Sequence, residues 1–181
     1  MPIKTPICDF GQTAKDFELK SINNEFIKLN DAKGENGTLI MFICNHCPFV
    51  HHINSKLVEL ANNYQTQGIQ FIAISSNNVE THPQDGPEQM KVTAHKESYP
   101  FPYLYDESQE VARAYGAECT PDIFVFDGKL SCSYRGRFDE TRPNMGEATG
   151  KDLRQALDQL LLGETPSAEQ IPSIGCNIKW K

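Results

Sequence analysis

A chain of 181 residues, 39% hydrophobic and 23% charged, is long enough to bury its own core as one domain. Its 17 lysines and arginines against 24 aspartates and glutamates leave a formal charge of −7, which opposes general affinity for nucleic-acid phosphates or anionic membrane surfaces. No export signal is visible in the first twenty residues, and the longest apolar run, residues 39–44, falls well short of the roughly 18 needed to span a bilayer. A cytoplasmic protein with neither nucleic-acid nor membrane partners is therefore expected.

Cysteines stand at positions 8, 44, 47, 119, 132 and 176. Multiple structural disulfides belong to small secreted domains with too little core, so in this chain reduced thiols are the expectation and closely spaced cysteines point to catalysis or metal binding.

Taken in chain order, Phe17-Glu18-Leu19 and Phe26-Ile27-Lys28-Leu29 flank the polar turn formers of residues 21–24 and predict an N-terminal β-hairpin. Residues 38–43 are apolar on both faces and β-rich, as in a central buried strand. From Pro48 to residue 67 the apolar positions Val50, Ile53, Leu57, Leu60, Ala61 and Tyr64 recur every three or four residues, a helix closed by Gly68. Residues 69–75 read as a second buried strand, and 76–86 as a polar loop. Pro87 sits at the first-turn position of a helix over 88–99. A strand at Tyr103-Leu104-Tyr105, a short helix over 107–115 and a third buried strand over 123–126 follow. Asp127-Gly128 is a hairpin signal, which returns residues 129–135 antiparallel. The last helix spans 150–162. Residues 1–163 form the expected domain, and 164–181 a C-terminal tail carrying Cys176. This alternation predicts an α/β fold, one central mixed sheet with helices on both faces.

Cys44-Asn45-His46-Cys47-Pro48 lies where a buried strand passes into a helix, and the helix N-terminus favours an anion such as a thiolate. Dithiol exchange needs one ionised, exposed thiol and a second within a helical turn to displace it from a mixed disulfide. Cys44, ahead of the helix, is the expected attacker, Cys47 the resolver, and His46 a source of positive charge that makes the disulfide more oxidising. Cys44, Cys47 and His51 or His52 form an alternative metal-ligand set. Haem attachment is disfavoured because Pro48, not histidine, follows Cys47. No organic cofactor is implied.

Thr120-Pro121 leads directly into the 123–126 strand, and X-Pro is the common place for a cis peptide. A CxxC after the first core strand and a Thr-Pro before the penultimate hairpin resemble the thioredoxin superfamily. The resemblance implies a thioredoxin-like fold with an N-terminal hairpin extension, a cis Pro121 facing the redox pair, and backbone at Thr120 that pairs with substrate. The hairpin and Phe42-Ile43-Cys44-Asn45-His46-Cys47-Pro48 more specifically resemble the redoxin branch, the alkyl hydroperoxide reductase/thiol-specific antioxidant family, over about residues 10–162. In its peroxiredoxins a cysteine before proline is peroxidatic, which would be Cys47, with threonine or serine where Cys44 stands. That hydroxyl residue is missing here, and so is the arginine beside the cis-proline strand, for which Arg135 or Arg137 on the next strand is the available substitute. The resulting expectation is thiol–disulfide exchange with protein or small thiol substrates and an unidentified electron donor, with thiol peroxidase as the alternative and homodimerisation open. The tail cysteine, Cys176, resembles the tail resolving thiols of some peroxiredoxins. Cys8, Cys119 and Cys132 read as small buried hydrophobes, with Cys119 close to the Thr120-Pro121 loop.

Overall fold

The computed structural model describes residues 2–164 and 166–181. A seven-stranded mixed sheet is ordered β3-β2-β6-β5-β4-β8-β9. Its strands are β2 (Glu18–Ser21), β3 (Phe26–Lys28), β4 (Gly37–Phe42), β5 (Ile69–Ser75), β6 (Tyr103–Tyr105), β8 (Asp122–Asp127) and β9 (Cys132–Arg135). Strands β4, β5 and β6 run parallel, and the other pairings are antiparallel. The N-terminal hairpin is present, with Asn24 left-handed in its turn.

Every residue of β4 is buried, and strict alternation sends its side chains to two cores. Leu39 and Met41 enter one core, with Phe71 and Val125, against helices α2 (Pro48–Gln65), α3 (Pro87–Glu97) and α5 (Lys151–Leu161). Ile40 and Phe42 enter the other, with Ile72, Phe124 and Phe126, against α1 (Leu29–Ala32) and α4 (Glu110–Tyr115). Each fully buried Leu, Ile or Phe contributes about 1.5–3 kcal/mol over its exposed state, so this two-sided burial fixes β4 as the axis of the fold.

The C-terminal segment docks on the domain, and it does so as a strand that its irregular composition did not announce. Ile174–Asn177 forms strand β10, which lies between β1 (Pro2–Lys4) and β7 (Cys119–Thr120) in a separate three-stranded antiparallel sheet. The pairing depends on a close approach: a Cβ on Gly175 would fall 2.0 Å from the Thr120 carbonyl oxygen. Ile178 then plugs into the Phe42 core, and Lys179 N–H donates to Asn77 Oδ1 at 2.8 Å. Trp180 stays 37% exposed beneath the Arg113 guanidinium, so Gly175 and Ile178 hold the tail. Strands this short, paired to partners more than 50 residues away in sequence, leave no period for a sequence pattern to reveal. Among the described residues, no helix is long and apolar enough to cross a membrane.

Candidate active site

Sheet register brings the two expected elements together. Because Phe42 at the end of β4 pairs with Asp122 at the start of β8, the residues just beyond one strand and just before the other must meet, and these are Cys44 and Thr120. Cys44 Sγ lies 3.4 Å from Thr120 Oγ1, and Cys47 Sγ donates to the Thr120 carbonyl at 3.2 Å. The Thr120-Pro121 peptide is cis, as its sequence setting suggested. Cys47 is the N-cap of α2 rather than a residue of its first turn, and Pro48 opens the helix. The expected exposed attacker is in fact buried, Cys44 at 2% exposure beside Cys47 at 0%.

The two sulfurs titrate as one unit, so a single negative charge settles on one of them while the other keeps its proton. With the charge on Cys47, the hydrogen bond from Cys44 draws Cys47 down to about 4, while the same bond, burial and the Asp85 carboxylate push Cys44 up. With the charge on Cys44, Cys47 keeps its hydrogen bond to the Thr120 carbonyl, and the Thr120 hydroxyl is free to donate to the Cys44 thiolate. A carbonyl oxygen can only accept, so the observed contact at Cys47 is one that a protonated thiol alone can make.

Between the cysteines, a residue that sequence reading passed over organises the loop. Asp85, at 0% exposure on the 3-10 turn Pro83–Asp85, accepts from Asn45 N–H at 2.8 Å, His46 N–H at 3.3 Å, Asn77 Nδ2 at 2.8 Å and His46 Nδ1 at 2.6 Å. Asn45 is further held by donating to Gln84 O and accepting from the Tyr103 hydroxyl. His46 therefore turns the ring nitrogen nearest Cys44, 3.8 Å away, toward a carboxylate, and any positive charge it carries is partnered rather than free to act on the sulfurs alone. A signal for Asp85 did exist. Parallel β4 and β5 end at the same edge of the sheet, so the loop after β5 had to lie beside the CxxC loop after β4.

The alternative metal set does not assemble. His51 Nε2 donates to the Asn45 carbonyl and His52 Nε2 to Thr141 Oγ1, so neither ring turns that nitrogen toward the sulfurs. Cys44, His46 and Asp85 do gather within 4.8 Å, but the hydrogen bonds just described already use the facing His46 nitrogen and both Asp85 oxygens. The arginines expected to stand in for a peroxiredoxin guanidinium are also engaged elsewhere. Arg135 is buried in the core that contains Phe42, stacked on Phe124 and bonded to Asp122 at 2.8 Å, while Arg137 pairs with Asp152. Cys119 is buried with its thiol on the Pro121 carbonyl, and burial pushes it up, in keeping with a structural role.

Cys176 is placed by β10 directly across from Thr120, within hydrogen-bonding reach of Cys47 rather than Cys44. It is the least buried sulfur of the three, and burial together with Cys47 pushes it up to about 11. The same pairing occupies the edge of β7 that the resemblance assigns to substrate, so that edge is free only when β10 lifts.

A solved structure of an uncharacterized conserved protein from Geobacillus kaustophilus is similar to this chain at 50% identity, with a TM-score of 0.97 over all of this chain and 97% of that one. The thiol-disulfide oxidoreductase ResA of Geobacillus thermodenitrificans is 25% identical over 152 residues, covering 83% of this chain and 77% of that protein. A putative thioredoxin from Neisseria meningitidis shares the fold at a TM-score of 0.65 and 23% identity, over 83% of this chain and 90% of that one. The fold is thioredoxin-like, and the AhpC/TSA family matches residues 10–134, the segment that carries the hairpin, Cys44, Cys47 and the cis Pro121: the chain belongs to that family.

Proposed function

We propose that the protein is a thiol–disulfide oxidoreductase whose redox pair is Cys44 and Cys47. The observation that carries this reading is the placement of both sulfurs against Thr120, one facing its hydroxyl and the other its carbonyl, at the mouth of a helix. The ResA relative carries the same activity in its name.

In this reading the Cys44 thiolate, stabilised by the Thr120 hydroxyl, attacks one sulfur of a substrate disulfide. A Cys44–substrate bond forms, the substrate S–S bond breaks, and the leaving thiolate takes up a proton. Cys47 then loses its proton and attacks Cys44 Sγ, which closes Cys44–Cys47 and releases the second substrate thiol. Two electrons have passed to the substrate, and an external dithiol returns them. Cys47 is the resolver because its proton is held on the Thr120 carbonyl and because β7, β10 and the helix enclose it. Peroxide chemistry is less well supported, since Arg135 lies on the far face of the sheet and is committed to Asp122.

Cys176 extends the scheme. Less buried than either partner and beside Cys47, it is placed to exchange with a Cys44–Cys47 disulfide by attack on Cys47. Mass spectrometry of non-reduced digests after diamide treatment tests this. A Cys47–Cys176 link accompanying Cys44–Cys47 supports the relay; Cys44–Cys47 alone, with unchanged turnover in Cys176→Ser, removes the tail from the chemistry. The reading as a whole is tested by the reduction potential, expected between about −270 mV and −120 mV. A value outside that range counts against this reading.

A further inference from the structure

On the sheet face opposite Cys44, Cys8 and Cys132 are free thiols with their sulfurs 2.7 Å apart, although 124 residues separate them in sequence. A disulfide bond is about 2.0 Å long, so the two sulfurs already lie close to bonding distance. The pairing is built into the backbone. Asp9 caps a tight turn, accepting from Gln12 N–H on its carbonyl and from Gly11 N–H on its carboxylate, which folds Cys8 back along the chain. The arm then runs antiparallel to the segment entering β9: Ala14 N–H donates to Leu130 O, Thr13 bridges Ser131, and Cys132 N–H donates to Gln12 O. Both thiols are buried, at 8% and 4% exposure, with the Asp9 carboxylate and the Arg135 guanidinium as the charged groups nearest them.

We propose that Cys8 and Cys132 form a second dithiol pair, which a low-molecular-weight disulfide oxidises to a bond stapling the N-terminal arm to β9. One thiolate of the pair attacks the reagent, forming a mixed disulfide and releasing a first thiolate. The other attacks the protein sulfur of that mixed disulfide, closing Cys8–Cys132 and releasing a second thiolate. The two protons lost by the cysteines pass to the released thiolates, and the two electrons reduce the reagent. The staple acts at a distance, because the arm continues into β1, Thr5 N–H donates to Ser173 O, and β1 pairs along β10, the strand that covers Cys47. Closing the loop therefore fixes the tail that carries Cys176, and opening it frees the arm.

The full reduced chain is incubated with oxidised glutathione, digested without reduction and mapped. The expected result is a peptide joining Cys8 to Cys132, together with a rise of about 10 °C in unfolding midpoint over the reduced protein, both missing from Cys8→Ser. Cys8 lies on the arm outside the main sheet, which makes this the variant best placed to fold. If it does not, wild-type protein alone decides the matter: after oxidation, maleimide added in denaturant should spare both Cys8 and Cys132. Labelling of both cysteines, or glutathione retained on either as a stable mixed disulfide, overturns the proposal.

Discussion

The molecule carries two pairs of neighbouring thiols, one on each face of the same sheet. Cys44 and Cys47 are three positions apart and sit at a strand-to-helix junction, where the Thr120 hydroxyl and carbonyl contact the sulfurs and Asp85 holds the loop between them. Cys8 and Cys132 are brought together by a turn and an antiparallel arm, with an ion pair buried nearby. In the first pair the surroundings select which sulfur ionises, which suits turnover; in the second they hold two segments in register, which suits a staple.

The largest effects should follow from breaking the first pair. Cys44→Ser should lower disulfide-exchange turnover by about 10³-fold, equivalent to about 4 kcal/mol, with the folded state retained. An unaltered rate in a stopped assay with a model disulfide would remove Cys44 from the chemistry.

On the other face, stability should suffer instead. Arg135→Met leaves Asp122 buried without its cation, although burial already pushes that carboxyl up and Arg135 holds it back. The expected loss is about 3–5 kcal/mol in urea unfolding, while exchange turnover per folded molecule is unchanged. A loss under about 1 kcal/mol would mean that the pair contributes little.

Gly175→Ala probes the link between tail and site. Its added Cβ collides with Thr120 backbone, which β10 can relieve only by withdrawing, at a cost of about 1–3 kcal/mol. Alkylation of Cys176 and Cys47 should accelerate. Unchanged labelling and stability would show that β10 is not held by this approach.

The smallest effect concerns pH. Coupling between Cys44 and Cys47 lowers the first ionisation of the pair and raises the second, so a thiolate persists as pH falls below the ordinary thiol value of about 8.5. Iodoacetamide reactivity should stay level from pH 8 to 6 and decline only at lower pH, whereas an unassisted thiol loses about tenfold per unit throughout. Asp85→Asn removes a negative charge that raises Cys44, so the decline should move to still lower pH. A move upward would contradict the assigned electrostatics.

What was legible in the sequence follows the same division between local and distant. The period of α2, the two-sided apolar character of β4 and the Cys44-to-Cys47 spacing are local patterns, and the structure contains each of them. Thr120 was also legible, because its proline marks a special backbone position, and the sheet register then brings it to Cys44. The contacts of Gly175 and Cys8 depend on partners 55 and 124 residues away, and neither belongs to a periodic element that could announce it, whereas Asp85, 40 residues from Asn45, was signalled only by the parallel order of β4 and β5. Cys176 fell between the two cases. Its chemistry was visible, but its strand was not, because a four-residue strand with an exposed end resembles an irregular tail.

The central claim, that Cys44 attacks and Cys47 resolves, is tested most directly by trapping. Cys47→Ser protein incubated with a disulfide substrate should accumulate a mixed disulfide that peptide mapping places on Cys44. Failure to trap on Cys44, with the adduct found instead on Cys47 in the Cys44→Ser protein, would reverse the two roles and contradict the account.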